Sequence, residues 1–259
     1  MIFQYLELFI QNRVAYITLN RPQKRNALND VLVKELIVLF EDLKTNDDAK
    51  VMVLKANGNV FSAGADLDYL KQLQANTYDQ NLADSTQLMT LFKNIYEHPK
   101  LLIAQIEGSA IAGGCGLAAI ADLSFAVPEA MFGYTEVKIG FIPALVMVFL
   151  IRKIGEGRTK ELLLSGNLIN AQQAQAYGLI NFIEDKNNIA DKVRHYAEQI
   201  CQTASASSLA MTKQMIAQIQ NLSYQDGLTH AAEKNAQARA SPDCQAGIAA
   251  FLNKEKISF

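Results

Sequence analysis

Cysteine and histidine are both scarce in this sequence of 259 residues, which contains three of each. The cysteines are scattered, and no two of them form a C-x-x-C pair. A disulfide framework or a zinc site needs several cysteine or histidine residues at short, regular spacing. The sequence therefore predicts no disulfide bond and no metal site, and the low use of cysteine favours a reducing, cytoplasmic location.

A strong charge of one sign and a long hydrophobic run are also missing. The formal net charge is −2, so we expect no nucleic-acid partner. The longest apolar run, Phe141 to Ile151, is shorter than the roughly 20 residues that span a membrane, and we interpret it as a buried helix. The first residues lack a basic region ahead of an apolar one, which argues against a signal peptide. We expect no membrane association.

Half of the residues are hydrophobic, which is enough for a sizeable core. Up to about residue 155, strand-like and helix-like segments alternate, starting with a predicted hairpin over residues 5–19 and including helices over 31–43 and 80–96. Later segments have almost entirely the pattern of helices: 156–165, 171–177, 187–203, 206–220, 223–239 and 243–254. The pattern predicts an α/β core over residues 1–190 with a helical region over residues 191–259 packed on it.

The stretch IAGGCGLAAIAD, Ile111 to Asp122, places three glycines within four positions at the start of a predicted helix. One interpretation is a dinucleotide-binding loop, because Gly114 to Ala119 fits G-x-G-x-x-A and Glu136 follows at a suitable distance. That fingerprint should follow its strand directly, whereas five further residues, 108–112, intervene here. The chain also opens with a hairpin rather than a βαβ unit, so we disfavour a dinucleotide.

A second interpretation is an oxyanion hole. A helix N-terminus has unpaired N–H groups and a partial positive charge, and glycine lets a ligand approach the backbone closely. Another small-residue turn, FSAGADL at residues 61–67, also follows a predicted buried strand. Two such turns can each direct one N–H group at the same oxygen. A third interpretation is that the glycines only permit tight turns and close helix packing.

Four segments in this order resemble the enoyl-CoA hydratase/isomerase, or crotonase, superfamily: NRPQKRNALN, FSAGADL, GGCGLAAIAD and FGYTEVKIGFIPALV. The resemblance extends over nearly the whole chain, to GIAAFLNKEK near its end. Residues 61–99 look most like bacterial methylglutaconyl-CoA hydratases, enzymes of leucine and isovalerate breakdown. The resemblance implies an α/β fold of the ClpP/crotonase type, a spiral of ββα units. It also implies a helical C-terminal region that forms a homo-oligomer, either a trimer or a dimer of trimers.

The resemblance also implies roles for individual residues. The thioester oxygen of an acyl-CoA substrate would lie between the backbone N–H groups of Ala65 and Gly113, and Glu136 would be the catalytic acid/base. Coenzyme A belongs to the substrate, so no separate cofactor is expected. The residues expected along coenzyme A are Lys24, Asn26, Ala27, Leu28, Ala63, Ala65, Asp66, Leu67 and Gly113. Phe251 and Lys254 would close over it, often from a neighbouring subunit.

The sequence departs from the family pattern at Gly116, where typical hydratases carry a second catalytic glutamate. One carboxylate can take a proton from water and return it to C2, or it can move a proton between C2 and C4. Three functions therefore stay open: hydration of a short, branched enoyl-CoA, double-bond isomerisation, and binding of acyl-CoA by a weakly catalytic subunit. We favour hydration of 3-methylglutaconyl-CoA, because the bacterial sequences that this chain resembles also have glycine at this position.

Two further points concern charged side chains near the expected site. Without the resemblance, Glu136 would be interpreted as half of a surface ion pair with Lys138 or Lys153. A methylglutaconyl group carries a distal carboxylate, so a cation should line the acyl end of the pocket. Lys93, Lys138 and Arg152 are available for this role, and their spacing does not choose among them.

Overall fold

The computed structural model describes residues 2–259. Its strands belong to two sheets. In chain order the strands are Leu6–Gln11 (β1), Val14–Leu19 (β2), Val51–Ala56 (β3), Val60–Ser62 (β4), Leu101–Ile106 (β5), Ser109–Ile111 (β6), Leu123–Ala126 (β7), Met131–Gly133 (β8), Ile169–Asn170 (β9) and Phe182–Ile183 (β10).

The larger sheet has six strands in the order β1-β2-β3-β5-β7-β10. Its first two strands form the predicted hairpin, paired antiparallel from Leu6 with Leu19 to Gln11 with Val14. The hairpin loop consists of Asn12 and Arg13, both with positive φ, which matches the right-handed twist of the flanking strands. The remaining neighbours pair in parallel.

The smaller sheet has four strands in the order β4-β6-β8-β9, and its first three strands are parallel. In three successive units one strand joins the larger sheet and the next joins the smaller sheet before a helix follows. These units are β3-β4, β5-β6 and β7-β8. The predicted spiral of ββα units is therefore confirmed.

Helices connect the strands and form the last part of the chain. In chain order they are Asp30–Thr45 (α1), Leu67–Gln74 (α2), Tyr78–Tyr96 (α3), Gly113–Ile120 (α4), Ala144–Ser165 (α5), Ala171–Tyr177 (α6), Ile189–Thr203 (α7), Ala206–Ile219 (α8), Tyr224–Arg239 (α9) and Pro242–Asn253 (α10). Short 3-10 turns cover Pro22–Lys24 and Glu136–Ile139. Helix α5 is interrupted at Gly155, whose φ of 77° is not helical.

The structure corrects one sequence-based expectation and adds elements that the sequence pattern did not predict. The apolar run from Phe141 to Ile151 is not a buried helix, because Phe141 and Ile142 precede α5 and are 56% and 65% exposed. Only one face of the first turns of α5 is buried, through Val146 and Leu150. In addition, the sequence pattern missed the short strands of the smaller sheet and the helix α2.

The predicted division after residue 190 falls inside α7. Val193, Ala197 and Cys201 of this helix are buried in the same hydrophobic core as the larger sheet. By its packing, α7 therefore belongs to the α/β core. Helices α8, α9 and α10 contact one another and bury few side chains of their own.

Candidate active site

The candidate active site lies at the carboxyl ends of three parallel strands, β4, β6 and β8. Each strand is followed by one of the predicted groups: Ala65 after β4, Gly113 after β6 and Glu136 after β8. Ligand sites in α/β proteins commonly form at the carboxyl ends of parallel strands, because the loops that follow the strands meet there. The smaller sheet therefore brings together three residues that are far apart in the sequence.

The loop after β4 leaves the Ala65 N–H group unpaired. Leu28 forms a one-residue parallel bridge with Ala65, in which the Leu28 N–H donates to Gly64 O at 2.6 Å and the Asp66 N–H donates to Leu28 O at 2.9 Å. The N–H of Ala65 itself takes no part in this bridge. Gly64 has a φ of +86°, a left-handed conformation that glycine adopts without steric cost.

The turn before α4 presents the Gly113 N–H group. Ala112 has φ 52° and ψ −126°, which is rare for a residue with a β-carbon, and its N–H donates to Gly133 O at 2.8 Å. This conformation turns the chain sharply from β6 into α4, whose first residue is Gly113. The first N–H groups of a helix have no intrahelical acceptor and carry a partial positive charge.

The two turns are in direct contact. A β-carbon added to Gly64 would lie 2.7 Å from Ala112 Cβ and 3.6 Å from the Gly113 nitrogen. Within residues 2–259, neither the Ala65 N–H nor the Gly113 N–H donates to a protein acceptor. Two unpaired backbone donors on touching turns can stabilise negative charge that develops on a carbonyl oxygen.

Glu136 is the first residue of the 3-10 turn that follows β8. Its Oε2 atom is buried and has no hydrogen-bond partner in the described part of the chain. Burial raises the pKa of this carboxyl group above its ordinary value, and a hydrogen bond from its own backbone N–H offsets part of that rise. A carboxyl group with a raised pKa and a free oxygen is suited to accept and return a proton.

The Glu136 carboxylate forms no ion pair with Lys138, Lys153 or another described residue. Within the described residues no lysine or arginine nitrogen lies within 4.0 Å of its carboxylate. Lys138 is exposed, and Lys153 Nζ donates instead to Ala119 O at 2.7 Å and Ala121 O at 2.9 Å. The interpretation of Glu136 as half of a surface ion pair is therefore wrong for this structure.

Apolar side chains close the position of the missing glutamate. A β-carbon added to Gly116 would overlap Val146 Cγ1 and would lie 3.0 Å from two ring atoms of Phe92. Val146 and Phe92 are both buried, and Phe92 stacks on Phe149 with 5.9 Å between the ring centroids. A carboxylate at position 116 therefore has no space unless these neighbours move.

Asn26, one of the predicted coenzyme A contacts, is fully buried and organises its own loop. Its Nδ2 donates to Asn57 O at 2.8 Å and to Val60 O at 2.9 Å, and its Oδ1 accepts from the Arg21 N–H at 2.8 Å. Its backbone oxygen accepts from Ser62 Oγ at 2.8 Å. Asn26 is thus a buried support of the loop, and its contact with coenzyme A stays a prediction.

The Asp66 side chain is also used within the protein. It pairs with the buried Arg21 guanidinium and caps α2 by accepting from the Asp68 N–H at 2.7 Å. Burial alone would raise the pKa of Asp66, but the hydrogen bonds from Arg21 and Asp68 hold it below its ordinary value. Lys24 lies nearby at the surface, where its Nζ is 2.7 Å from Asp68 Oδ2.

The other predicted residues of this region differ in exposure. Ala27 and Leu28 are buried, and Leu28 Cδ1 would lie 3.1 Å from a β-carbon added to Gly113. Ala63 is half-buried, and its N–H donates to Arg25 O at 3.0 Å. Leu67 is 75% exposed at the start of α2. Leu28 is therefore a predicted residue whose side chain packs against Gly113.

Phe251 lies on the last turn of α10, and Lys254 follows directly after this helix. Helix α10 packs against α8 and α9 of its own chain, and Phe251 is 82% exposed. Lys254 ends the helix in a left-handed conformation with φ 58°. A single chain thus leaves both side chains exposed, and their closure over coenzyme A in a neighbouring subunit stays a prediction.

The candidate cations for a distal carboxylate are not distinguished by their contacts. Lys93 and Lys138 are exposed. The Arg152 guanidinium donates to Val148 O at 2.8 Å and to Asn221 Oδ1 at 2.9 Å.

Sequence reasoning missed four residues that shape the site: Arg21, Phe92, Tyr134 and Val146. Arg21, Tyr134 and Val146 lie within segments that carried the resemblance, so their place in these segments was a usable signal. The contact of Phe92 and Val146 with Gly116 had no signal in the sequence, because only the packing of α3 and α5 on α4 brings these residues together.

Known proteins are similar to this chain over nearly its full length. A Thermus thermophilus relative is 38% identical over 249 residues, which cover 96% of this chain and 98% of the relative. The 2,3-dehydroadipyl-CoA hydratase of Escherichia coli K12 is 35% identical over 255 residues, 96% of each chain. A solved enoyl-CoA hydratase structure from Shewanella pealeana superposes with a TM-score of 0.92 at 31% identity, covering 99% of this chain and 96% of that one.

The family model for enoyl-CoA hydratase/isomerase matches residues 9–259. The chain therefore belongs to the enoyl-CoA hydratase/isomerase (crotonase) family, as its sequence motifs predicted. Within the described residues 2–259, no helix is both long enough and apolar enough to cross a bilayer.

Proposed function

We propose that this chain adds water across the C2=C3 double bond of a short, branched enoyl-CoA, and that 3-methylglutaconyl-CoA is its substrate. The observation that carries the proposal is the buried, unpartnered Oε2 of Glu136, which follows β8 at the same edge of the smaller sheet as the two unpaired backbone donors after β4 and β6. The name of the Escherichia coli relative describes a hydratase for 2,3-dehydroadipyl-CoA, another enoyl-CoA with a distal carboxylate. This relative supports an acidic acyl group in the substrate.

The proposed reaction needs one carboxylate. The oxygen of water forms a bond to C3 while its proton passes to Glu136, and the electrons of the double bond move to the thioester oxygen as an enolate. The N–H groups of Ala65 and Gly113 stabilise that oxygen, and removal of one such donor typically costs about 3–4 kcal/mol of transition-state stabilisation. When the enolate collapses, C2 takes the proton from Glu136, which leaves a 3-hydroxyacyl-CoA and restores the carboxylate.

The binding of coenzyme A is proposed to use the surface beside these donors. Lys24 supplies a cation there, Leu28 packs against Gly113, and Ala63 and Leu67 are accessible on the loop after β4. Coenzyme A arrives as part of the substrate, so no separate cofactor takes part. The scarcity of cysteine is in keeping with the cytoplasmic location that we propose.

Isomerisation of a 3-enoyl-CoA to a 2-enoyl-CoA is the second candidate. The observation that favours it is the apolar closure of position 116 by Val146 and Phe92, which leaves Glu136 as the retained family carboxylate. Such a carboxylate can remove a proton from C2 and return it to C4 without any water molecule.

A substrate panel separates these functions. The purified protein is incubated with 3-methylglutaconyl-CoA, 2,3-dehydroadipyl-CoA, crotonyl-CoA and a 3-enoyl-CoA, and the absorbance of the conjugated thioester is followed. Hydration lowers this absorbance with the first three compounds, and we expect the fastest loss with 3-methylglutaconyl-CoA. A gain with the 3-enoyl-CoA alone would instead identify an isomerase. Binding of the thioesters without any change would identify a non-catalytic acyl-CoA-binding subunit.

We also propose that the chain forms a homo-oligomer, a trimer or a dimer of trimers. Its helical C-terminal part and the start of α5 expose large apolar side chains that a second copy would cover. These include Phe141, Ile142, Val148, Ile216, Leu228, Ile248, Phe251 and Leu252. Sedimentation at micromolar concentration tests the proposal, and a stable monomer would contradict it.

A further inference from the structure

One guanidinium nitrogen joins the two chain segments that meet at the Ala65 donor. Arg21 Nη1 donates to Ala27 O at 3.1 Å and to the carboxylate of Asp66, with which it forms an ion pair. Ala27 directly precedes Leu28, and Asp66 directly follows Ala65. Because Leu28 and Ala65 form a one-residue parallel bridge, Arg21 links the two segments immediately beside this bridge.

The bridge controls the direction of the Ala65 N–H group. Gly64 O and the Ala65 N–H belong to one planar peptide group and point in opposite directions. The Leu28 N–H donates to Gly64 O at 2.6 Å, so this hydrogen bond orients the whole peptide group. The Leu28 side chain also packs against Gly113, since its Cδ1 would lie 3.1 Å from a β-carbon added there. A shift of Leu28 would therefore turn one donor and disturb its relation to the other.

The ion pair is itself held in place on several sides. Arg21 is 8% exposed and Asp66 is 3% exposed. The guanidinium lies over the Tyr5 ring, 4.9 Å from its centroid, and the Arg21 N–H donates to Asn26 Oδ1 at 2.8 Å. The second oxygen of Asp66 accepts from the Asp68 N–H at 2.7 Å at the start of α2. Both charged groups therefore have defined positions, as precise support of a site requires.

Stability alone does not account for an ion pair at this place. Taking two charges out of water costs about as much free energy as their attraction returns, and replacement of both by uncharged groups is often neutral. We propose that Arg21, paired with Asp66, is a positioning residue that fixes the direction of the Ala65 N–H group toward the thioester oxygen. It acts through Ala27 and Leu28 and does not touch the reacting atoms. The inference rests on the proposed hydration and its oxyanion hole.

The Asp66→Asn variant tests this role. Asparagine has the same size and still caps α2, but its amide N–H₂ group faces the guanidinium donor in place of a carboxylate oxygen. We expect kcat for hydration to fall about tenfold to hundredfold, because a misplacement of about 1 Å can cost this much. KM should stay within about threefold of the parent, since full charge on the thioester oxygen develops only in the transition state. If kcat stays within threefold of the parent, the proposal is wrong.

The double variant Arg21→Met/Asp66→Asn separates positioning from stability. It removes both charges, so neither is left buried without a partner. Its melting temperature should exceed that of Arg21→Met alone, in which the Asp66 carboxylate has lost its counterion. In contrast, kcat should stay at least tenfold below that of the parent. Recovery of kcat together with the melting temperature would show that the pair acts only through stability, which contradicts the proposal.

Asp122→Asn is the matched control, because it disturbs another largely buried ion pair. Asp122 Oδ2 lies 2.7 Å from Lys213 Nζ, and the two side chains are 21% and 11% exposed. Asp122 directly precedes β7, so it lies at the amino end of a strand of the larger sheet. The control should lower the melting temperature and leave kcat within about twofold of the parent. A loss of kcat equal to that in Asp66→Asn would argue against positioning by Arg21.

Infrared spectroscopy gives a test that does not depend on turnover. The probe is 3-methylglutaconyl-CoA with ¹³C at the thioester carbonyl, bound to Glu136→Gln so that it is not consumed. Hydrogen bonds to a carbonyl oxygen lower its stretching frequency, so we expect a lower frequency for the bound probe than for the free one. In Glu136→Gln/Asp66→Asn this frequency should return part of the way to the free value.

The infrared outcomes separate the inference from the proposed function. An equal carbonyl frequency in the two proteins would overturn the inference. A bound frequency equal to the free one in Glu136→Gln would refute the oxyanion hole, and the inference with it. If Asp66→Asn reduces the shift but the parent hydrates no enoyl-CoA, the proposed hydration fails while the positioning role of Arg21 stands.

Discussion

The Val146 side chain occupies the space into which a β-carbon on Gly116 would project. Val146 lies in the first turn of α5 and Gly116 lies in α4, so this contact joins the helix that begins at Gly113 to the helix that follows Glu136. Val146 is only 6% exposed and Phe92 closes the other side, which prevents the space from opening to solvent. Glycine at position 116 is therefore a packing requirement of this chain.

Restoring the family carboxylate should damage this protein. Gly116→Glu is expected to lower the melting temperature, because it overpacks the contact with Val146 and places a carboxylate among apolar groups. Overpacking of this kind typically costs about 1–3 kcal/mol. Thermal unfolding of the variant measures the effect.

The double variant Gly116→Glu/Val146→Ala is the matched test of this contact, since alanine removes the overlapping methyl group. It should recover part of the melting temperature that Gly116→Glu loses, whereas Val146→Ala alone should destabilise the parent. Simple addition of the two single effects would show that Val146 is not the obstacle.

Glu136→Gln should abolish most of the turnover. The amide keeps the shape of the side chain but cannot accept a proton, and general acid/base groups typically contribute about 10²–10⁴-fold. Binding of the CoA thioester should change little, because the oxyanion donors are backbone N–H groups. The matched control is Glu129→Gln, which alters an exposed glutamate in the loop before β8. Turnover within threefold of the parent would exclude Glu136 as the catalytic group.

The pH dependence of turnover should follow the ionisation of Glu136. Burial raises the pKa of Glu136, so the ionised form that accepts a proton is lost at a higher pH than for an ordinary glutamate. The acidic limb of the kcat/KM profile should therefore lie above the usual glutamate range. If the apparent pKa of this acidic limb is at or below the ordinary pKa of glutamate, Glu136 does not control the rate.

Phe251→Ala and Lys254→Ala should weaken binding of CoA esters without altering the α/β core, because both side chains are exposed on the last turn of α10. Point substitutions are preferable to removal of residues 247–259. Phe259 O accepts hydrogen bonds from Arg13 at 2.7 Å and from Lys50 at 3.2 Å, so truncation would also release contacts with the core. An unchanged dissociation constant in both variants, measured by calorimetry, would remove the two residues from the binding site.

His98 should make the folded state less stable in mild acid. It is fully buried and neutral, since its Nδ1 accepts from the Lys100 N–H while its Nε2–H donates to Phe40 O at 3.0 Å. Burial is the main cause that lowers its pKa from 6.5 to about 4. Between these values the unfolded chain binds more protons, so stability falls as the pH drops, by about 3 kcal/mol in total.

Urea unfolding at pH 7 and pH 4.5 measures this contribution of His98. In His98→Gln the loss of stability between the two pH values should be smaller than in the parent, because glutamine does not titrate. The exposed His195 offers the control variant His195→Gln, which should behave as the parent does. Equal pH dependence in parent and His98→Gln would contradict the assignment.

Local patterns determined the family, the three loops of the site and most long elements of the fold. Alternating and helical periodicities marked the hairpin, α1 and α3, because these depend on side chains a few residues apart. The small-residue turns at Ala65 and Gly113 and the carboxylate Glu136 were recognisable for the same reason: each needs a particular residue at a particular place in a short motif. Strands of three residues, such as β6 and β8, are too short to leave such a pattern.

Tertiary structure alone decided which of these residues lie at the same edge of a sheet and which pair with others. Glu136 has no ion pair with Lys153, because the Lys153 ammonium group instead donates to backbone oxygens at the carboxyl end of α4. These contacts of Lys153 could not be inferred from sequence spacing. The resemblance placed Asn26 along coenzyme A, but only the fold shows that its side chain is buried in its own loop. The sequence by itself determined that position 116 lacks a carboxylate, but only the packing of α3 and α5 on α4 decided that the space is closed. Such contacts join residues far apart in the chain, and their geometry exists only once both sheets and the helices between them have formed.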